Sequence, residues 1–271
     1  MQKTTESESL YTDLESQKPI DILTWMNSED KKVALVIETI LPDIDKFVNA
    51  AVPKLSAGGR MFYIGSGTSG RLGVVDASEL PPTFGVVFEK VIGIIAGGDG
   101  AIRKAVEGSE DDRIQGWQDL KNWNISSDDV VIGIAASGTT PYVIGALEAC
   151  QKHHIATACI TCNAAAPILA VSDYSIVAVV GPEFITGSTR LKAGTAQKLI
   201  LNMISTTLMI KLGHVKGNKM VDMQLSNDKL VDRGTKMIMV EISKDYQYCN
   251  DLLMKYGSVR KAIEFYNSIQ S

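Results

Sequence analysis

The sequence predicts an α/β fold, a doubly wound sheet of five parallel strands, on three observations. From residue 60 onward short apolar runs alternate with helical patterns, the mark of parallel strands joined by crossover helices. Two of those runs, Arg60-Met-Phe-Tyr-Ile64 and Val130-Val-Ile-Gly-Ile134, lead directly into glycine-and-hydroxyl loops that open helical segments. The 271 residues, 45% hydrophobic and 21% charged, suffice to bury a full α/β core and to leave helical additions at its ends.

Taken in chain order, residues 1 to about 20 read as an irregular polar arm. Asn27-Ser-Glu-Asp30 then supplies an N-cap with acids in the first turn, ahead of the apolar-periodic run Val33 to Ile40. Pro42 breaks or restarts that helix, which continues to Val52, so two opening helices are expected. Strands are expected at 60–65, 91–96, 130–135, 156–161 and 174–180. In the flavodoxin-like order 2-1-3-4-5 the first and third strands are neighbours at the switch point, and the loops that follow them face each other across one crevice. After the fifth strand, Gly181 to Thr195 is rich in hydroxyls and cations. It feeds a helix from Ala196 to about Leu212 that is apolar on most sides, which suggests burial against the sheet or a second subunit. From Asn218 the pattern is amphipathic helix, with Gly234 and Gly257 as breaks.

Charge and cysteine usage narrow the function classes. A formal net charge of -4, without a basic tract interleaved with aromatics, argues against nucleic acid and anionic membrane surfaces as partners. The polar, acidic beginning has no apolar leader core and no run reaches membrane length, so a cytoplasmic location is expected. Cys150, Cys159, Cys162 and Cys249 form no disulfide framework. Cys159 and Cys162 have C-x-x-C spacing, but residues three apart on a strand point to opposite faces. His153, His154 and His214 have no metal-binding spacing, and no metal is expected.

The two loops carry the binding signal. Gly65-Ser-Gly-Thr-Ser-Gly-Arg71 and Ala135-Ala-Ser-Gly-Thr-Thr-Pro141 offer six hydroxyls, from Ser66, Thr68, Ser69, Ser137, Thr139 and Thr140. Gly67 and Gly138 let the backbone approach a ligand, and the helix N-terminus after each loop favours an anion. Neither loop is a P-loop. Gly65, Gly67 and Gly70 match a dinucleotide fingerprint literally, yet the hydroxyls between them and the twin loop favour a phosphosugar over a pyrophosphate.

Two carboxylates stand out as acid and base. Glu79, before Pro81 and Pro82, is expected to end the helix that starts at the first loop; the negative end of a helix favours the protonated form of a carboxyl group, which suits a general acid. Glu110 is expected at a helix N-terminus capped by Ser109, with Asp112 three residues after the cap, and such a position favours the ionised form that a base requires. The alternative is that Glu110 is simply a favourable first-turn acid, and Glu107 and Asp111 compete for its role. Glu183, with Ser188 and Lys192 beyond it, forms a possible additional part of the crevice.

Five blocks in register give the chain a resemblance. Gly65-Ser-Gly-Thr-Ser-Gly-Arg-Leu-Gly73, Asp76-Ala-Ser-Glu-Leu-Pro-Pro-Thr83, Ile95-Ala-Gly-Gly98, Ala136-Ser-Gly-Thr-Thr-Pro141 and Gly187-Ser-Thr-Arg-Leu-Lys-Ala-Gly-Thr-Ala-Gln-Lys198 resemble the N-acetylmuramic acid 6-phosphate etherases of the sugar isomerase (SIS) superfamily, from about residue 5 to residue 260. The resemblance implies a three-layer SIS domain over 56–215, preceded by an arm and helices over 1–55 and followed by a small helical region over 216–271. It also implies cleavage of the lactyl ether of N-acetylmuramic acid 6-phosphate to N-acetylglucosamine 6-phosphate and D-lactate, in cell-wall sugar recycling. Glu79 matches the acid that protonates the departing lactate, and Glu110 matches the base that removes the C2 proton. Elimination followed by hydration requires neither metal nor nicotinamide, so no cofactor is expected. A homodimer is expected, as is common among SIS proteins.

The resemblance has departures and rivals. Many relatives carry Thr-Glu-x-Arg-Asn in the arm, where this chain has Thr5-Glu-Ser-Glu-Ser9, and its C-terminal helical region is shorter. The superfamily also contains phosphosugar-binding regulators such as the glucokinase regulatory protein, and aldose–ketose isomerases that would likewise use a glutamate base at C2. Both glutamates being present favours an enzyme over a regulator, and lactate release separates etherase from isomerase.

Overall fold

The computed structural model describes residues 4–270, which divide into two compact units. The larger comprises residues up to 77 and 91–205; the smaller comprises 78–90 and 206 onward.

The arm, largely exposed, is pinned at Thr5, Ser9 and Tyr11. Thr5 exchanges two hydrogen bonds with Asn163, and the Ser9 hydroxyl donates to the Phe184 carbonyl. Tyr11 stacks on Trp25 and packs against Phe184. Helix α1 (Pro19–Ser56) follows as one element, not two. It starts eight residues before the expected cap, with Pro19 at its first position, where the missing N–H costs nothing. Pro42 lies inside it. The carbonyl that Pro42 leaves without a donor belongs to Glu38; both residues are exposed, so water can take the bond. Meanwhile Val33, Ile37, Ile40, Ile44, Phe47, Val48, Ala51 and Leu55 keep a buried stripe unbroken past the proline. Burial of that stripe outweighs one lost hydrogen bond, since each such side chain contributes about 1.5–3 kcal/mol.

Next come β1 (Met61–Gly65), α2 (Gly67–Phe84), β2 (Val91–Ile95), the single turn α3 (Gly100–Arg103), α4 (Gln115–Asn122), β3 (Val130–Ile134), α5 (Pro141–Lys152), β4 (Ala156–Thr161), β5 (Tyr174–Val177) and α6 (Lys192–Lys211). The five strands are parallel in the order β2-β1-β3-β4-β5, the order the sequence predicts. All five residues of β1 and of β3 are buried, as befits central strands covered on both faces. Phe62, Ile64, Ile94 and Val131 pack into one core with Tyr142, Val143 and Leu147 of α5. On the opposite face, Gly73 of α2 lies against Tyr63 and Ile134. Phe47 of α1 meets Tyr174 of β5 edge-on at 5.9 Å. The result is a three-layer sandwich with β1 and β3 adjacent at its centre.

A buried ion pair ties α1 to the start of α6. Lys192 Nζ donates to Glu29 Oε2 at 2.7 Å, with both side chains almost fully buried. Lys32 and the Tyr11 hydroxyl donate to the other carboxylate oxygen. Burial alone would raise the Glu29 pKa, but these three donors outweigh it and lower the group to about 2. A carboxylate whose pKa is depressed in the folded state adds stability above its unfolded value near 4.5, and that stability drains away as pH falls towards 2. Glu29→Gln is therefore expected to lose about 3–5 kcal/mol at neutral pH, because Lys192 stays buried without its counter-charge. Urea denaturation at several pH values tests this, and the variant's deficit should shrink between about pH 4.5 and pH 2.

The smaller unit carries a short antiparallel pair, β6 (Val215–Lys216) and β7 (Lys219–Met220), and three helices, α7 (Asp228–Ile242), α8 (Tyr246–Tyr256) and α9 (Val259–Ser268). Ile238, Ile242, Cys249, Leu252, Leu253, Val259 and Ile263 form its core. Gly257 does end a helix, with φ of 75° at the α8 C-cap. Gly234 does not; it lies inside α7, where a Cβ would come within 2.8 Å of Leu253, so its smallness serves helix packing. All four cysteines are buried and free. No helix among the described residues is long and apolar enough to cross a membrane.

Candidate active site

The C-terminal ends of β1 and β3 open onto a cleft of about 470 Å³. Ser66, Gly67, Thr68 and Ser69 form one wall, and Ser137, Thr139 and Thr140 form the other. Helix α2 begins within the first loop and α5 immediately after the second, so the first-turn N–H groups of both helices have no intrahelical acceptor. Hydroxyls and two helix ends thus present fixed dipoles, and among the described residues no lysine, to a cleft that the carboxylates of Glu6, Glu110 and Asp111 also line. Ser69 donates to Gln197 Oε1 at 3.0 Å, while Gln197 Nε2 is buried without an acceptor among the described residues.

Glu110 stands at the mouth of this cleft. The Ser66 hydroxyl donates to Glu110 Oε2 at 3.0 Å, and the Tyr142 N–H in the first turn of α5 donates to the Glu110 carbonyl at 3.0 Å. The expected helix start at Ser109 is absent. Residues 107–111 form turns, the Ser109 hydroxyl bonds back to Val106, and α4 begins only at Gln115. Asp112 does the capping instead, accepting from the Ile114 and Gln115 N–H groups. A single carboxylate that close to the turn satisfies both donors, which moves the helix start past Glu110. The Glu110 carboxylate thus meets the Ser66 hydroxyl just ahead of α2, and its backbone carbonyl the first turn of α5. Asp111 also lines the cleft, and Glu107 lines an adjoining pocket.

Glu79 is placed elsewhere. The expected helix end at Glu79 is overturned, because α2 runs on through Pro81 and Pro82 to Phe84. Buried Ala77, Leu80 and Phe84 keep one face of the helix packed across the prolines. Glu79 is exposed, twelve residues beyond Gly67 on one helix, or about 18 Å along its axis. It is not among the residues lining the cleft.

The remaining expected site residues divide by role. Gly138, with φ of 67°, does not line the cleft; a Cβ there would come within 2.3 Å of Ala166, so the glycine permits a turn packed on its neighbour. Glu183 is buried and accepts from the Lys192 and Ala193 N–H groups at 2.9 Å each, capping α6, while Lys192 serves the ion pair with Glu29. Burial raises the Glu183 pKa against the lowering effect of those two N–H groups. Ser188 lies one residue before Thr189, which is the residue of that segment lining the cleft. Two wall residues were not anticipated, Thr189 and Glu6. Glu6 enters because Asn163 binds Thr5 while its amide also donates to the Ser137 carbonyl, which ties the arm to the second loop.

Beneath the first wall, buried Asp76 fixes α2. It accepts from the Tyr63 hydroxyl at 2.9 Å, Asn202 at 2.7 Å and Ser205 at 3.2 Å. Burial raises the Asp76 pKa despite these donors, and burial first, then the Asp76 charge, pushes Tyr63 well above its ordinary value.

Comparison with known proteins agrees with this fold. A family model described as the glucokinase regulatory protein N-terminal SIS domain matches residues 43–151, and one described as the SIS domain matches residues 117–207. The chain is 56% identical over 266 residues to a protein of Bacteroides fragilis named N-acetylmuramic acid 6-phosphate etherase, covering 98% of this chain and 95% of that one. A protein of the same name from Porphyromonas gingivalis is 55% identical, with 97% and 96% covered. Among solved structures, a phosphoheptose isomerase from Francisella tularensis superposes with a TM-score of 0.58 at 16% identity, covering 73% of this chain and all (100%) of that one. A phosphoheptose isomerase from Neisseria gonorrhoeae gives 0.56 at 14% identity, with 70% and 98% covered. At such identities the two structures speak for the fold alone.

Proposed function

Because this chain belongs to the N-acetylmuramic acid 6-phosphate etherase family, we propose that its cleft holds the 6-phosphate of that sugar and that Glu110 and Glu79 cleave the lactyl ether. The observation that carries the reading is the Ser66–Glu110 hydrogen bond, which sets a carboxylate beside a hydroxyl-lined anion cradle. The open-chain aldehyde of the sugar acidifies C2. Glu110 takes the C2 proton, the electron pair moves towards the C3–O bond, and that bond breaks as an acid delivers a proton to the ether oxygen. Water then adds at C3 of the unsaturated intermediate, giving N-acetylglucosamine 6-phosphate and D-lactate. An alkoxide is a poor leaving group, which is why the acid is needed.

Glu79 lies about 18 Å along α2 from the cradle of its own chain, beyond the reach of one carboxylate side chain. The reading therefore assigns the acid of each site to the partner subunit's Glu79, in a homodimer that closes on itself by two-fold symmetry. A cytoplasmic enzyme of sugar recycling fits this chemistry. The test is to incubate the protein with N-acetylmuramic acid 6-phosphate in deuterated water. D-lactate should appear together with deuterium at C2 of the product. Folded protein that yields no lactate would overturn the etherase reading, and C2 exchange without lactate would favour an isomerase.

A further inference from the structure

A second, smaller pocket of about 140 Å³ adjoins the cleft, and Ser66, Gly67 and Glu110 line both. Its far wall is built from small apolar side chains, Ala96, Ala101, Ala105 and Val106. We infer that this pocket receives the 2-acetamido group of the substrate and so sets the size of the N-acyl group the enzyme accepts; the inference rests on the etherase reading above.

Connectivity favours that occupant. Glu110 acts on the proton of C2, and the acetamido nitrogen is bonded to C2 itself. With the 6-phosphate in the larger cleft and C2 at Glu110, the pocket that opens past Glu110 lies one bond from the reacting carbon. Its wall also suits an acetyl methyl, which gains about 0.8 kcal/mol when a group of that size leaves water for an apolar surface. The rival occupant, the lactyl group on C3, carries a carboxylate. That anion would meet Glu107 and Glu110, whereas the phosphate in the larger cleft meets Glu6, Glu110 and Asp111 opposite the first-turn N–H groups of both α2 and α5. Arg71 is the cation on this wall, and it holds the wall together: its Nε donates to the Ile102 carbonyl at 2.8 Å and one terminal nitrogen to the Ala101 carbonyl at 2.7 Å.

Titration calorimetry on the full-length protein tests this with N-acetylglucosamine 6-phosphate and glucose 6-phosphate, which share the phosphate and differ at C2. Ala105 is exposed on the pocket wall, so Ala105→Leu narrows the pocket with little effect on the core. The variant should bind N-acetylglucosamine 6-phosphate about tenfold more weakly while its affinity for glucose 6-phosphate stays within about twofold. Equal losses for both ligands, or none for either, overturn the assignment. If the variant does not fold, the unaltered protein decides: affinity should fall by about tenfold as the N-acyl group of glucosamine 6-phosphate is lengthened from acetyl to pentanoyl, and constant affinity overturns the proposal. Because these are binding measurements, they separate a wrong pocket from a wrong reaction, which only lactate release reports.

Discussion

Glu110→Ala is expected to abolish both halves of the reaction, C2 exchange and lactate release, each by on the order of 10²–10⁴-fold. The two fall together because no carbanion character develops at C2 without the base, and the ether bond then has no electron pair to expel its oxygen. Glu110 is exposed and accepts a side-chain hydrogen bond from Ser66, so the variant should keep its thermal stability. Rates of deuterium incorporation and D-lactate production, measured on the same sample, check the prediction. C2 exchange surviving in this variant would show that another group takes the proton, and Asp111 and Glu6 are the other carboxylates that line the cleft.

Glu79→Ala should divide the two signals. C2 exchange should continue, since the base is untouched, while lactate release falls by on the order of 10²–10⁴-fold for want of a proton on the leaving oxygen. The same residue tests the assembly. Mixing Glu79→Ala and Glu110→Ala chains and letting subunits exchange produces heterodimers with one site intact and one site lacking both groups. Random pairing makes half of the dimers mixed, so lactate release should recover to about a quarter of the unaltered rate. No recovery after demonstrated exchange would mean that each chain uses its own Glu79.

How much of this was legible in the sequence depended on the range of the physics involved. The sheet was legible, because five apolar runs separated by crossover lengths leave few topologies, and the order β2-β1-β3-β4-β5 brings both hydroxyl loops to one cleft as expected. Helix ends were less so. Local rules stop helices at Pro42 and Pro81, yet α1 and α2 continue through both, because the buried stripes of Val33 to Leu55 and of Ala77 to Phe84 are tertiary facts that no local rule contains. Glu110 shows a subtler failure. The expected helix start beside it is absent, since Asp112 rather than Ser109 caps α4, and its carboxylate is met by the Ser66 hydroxyl instead. Glu6 was invisible because nothing in the arm's composition shows that Asn163 fastens it to the second loop; the Thr-Glu of the arm was the only available signal. Lys192 and Glu183 had looked like crevice residues, and their burial against Glu29 and the first turn of α6 instead makes them framework.

The hydrogen bond from Tyr142 N–H to the Glu110 carbonyl has a consequence for timing. The backbone of Glu110, the proposed base, is anchored on the first turn of α5, and its carboxylate is already held by Ser66 on the other wall. The ordering entropy of the base is settled once, when the chain folds, instead of being charged to each turnover. In the proposed reaction, proton removal at C2 then needs only a seated phosphate, and the remaining step is arrival of the proton at the lactyl oxygen.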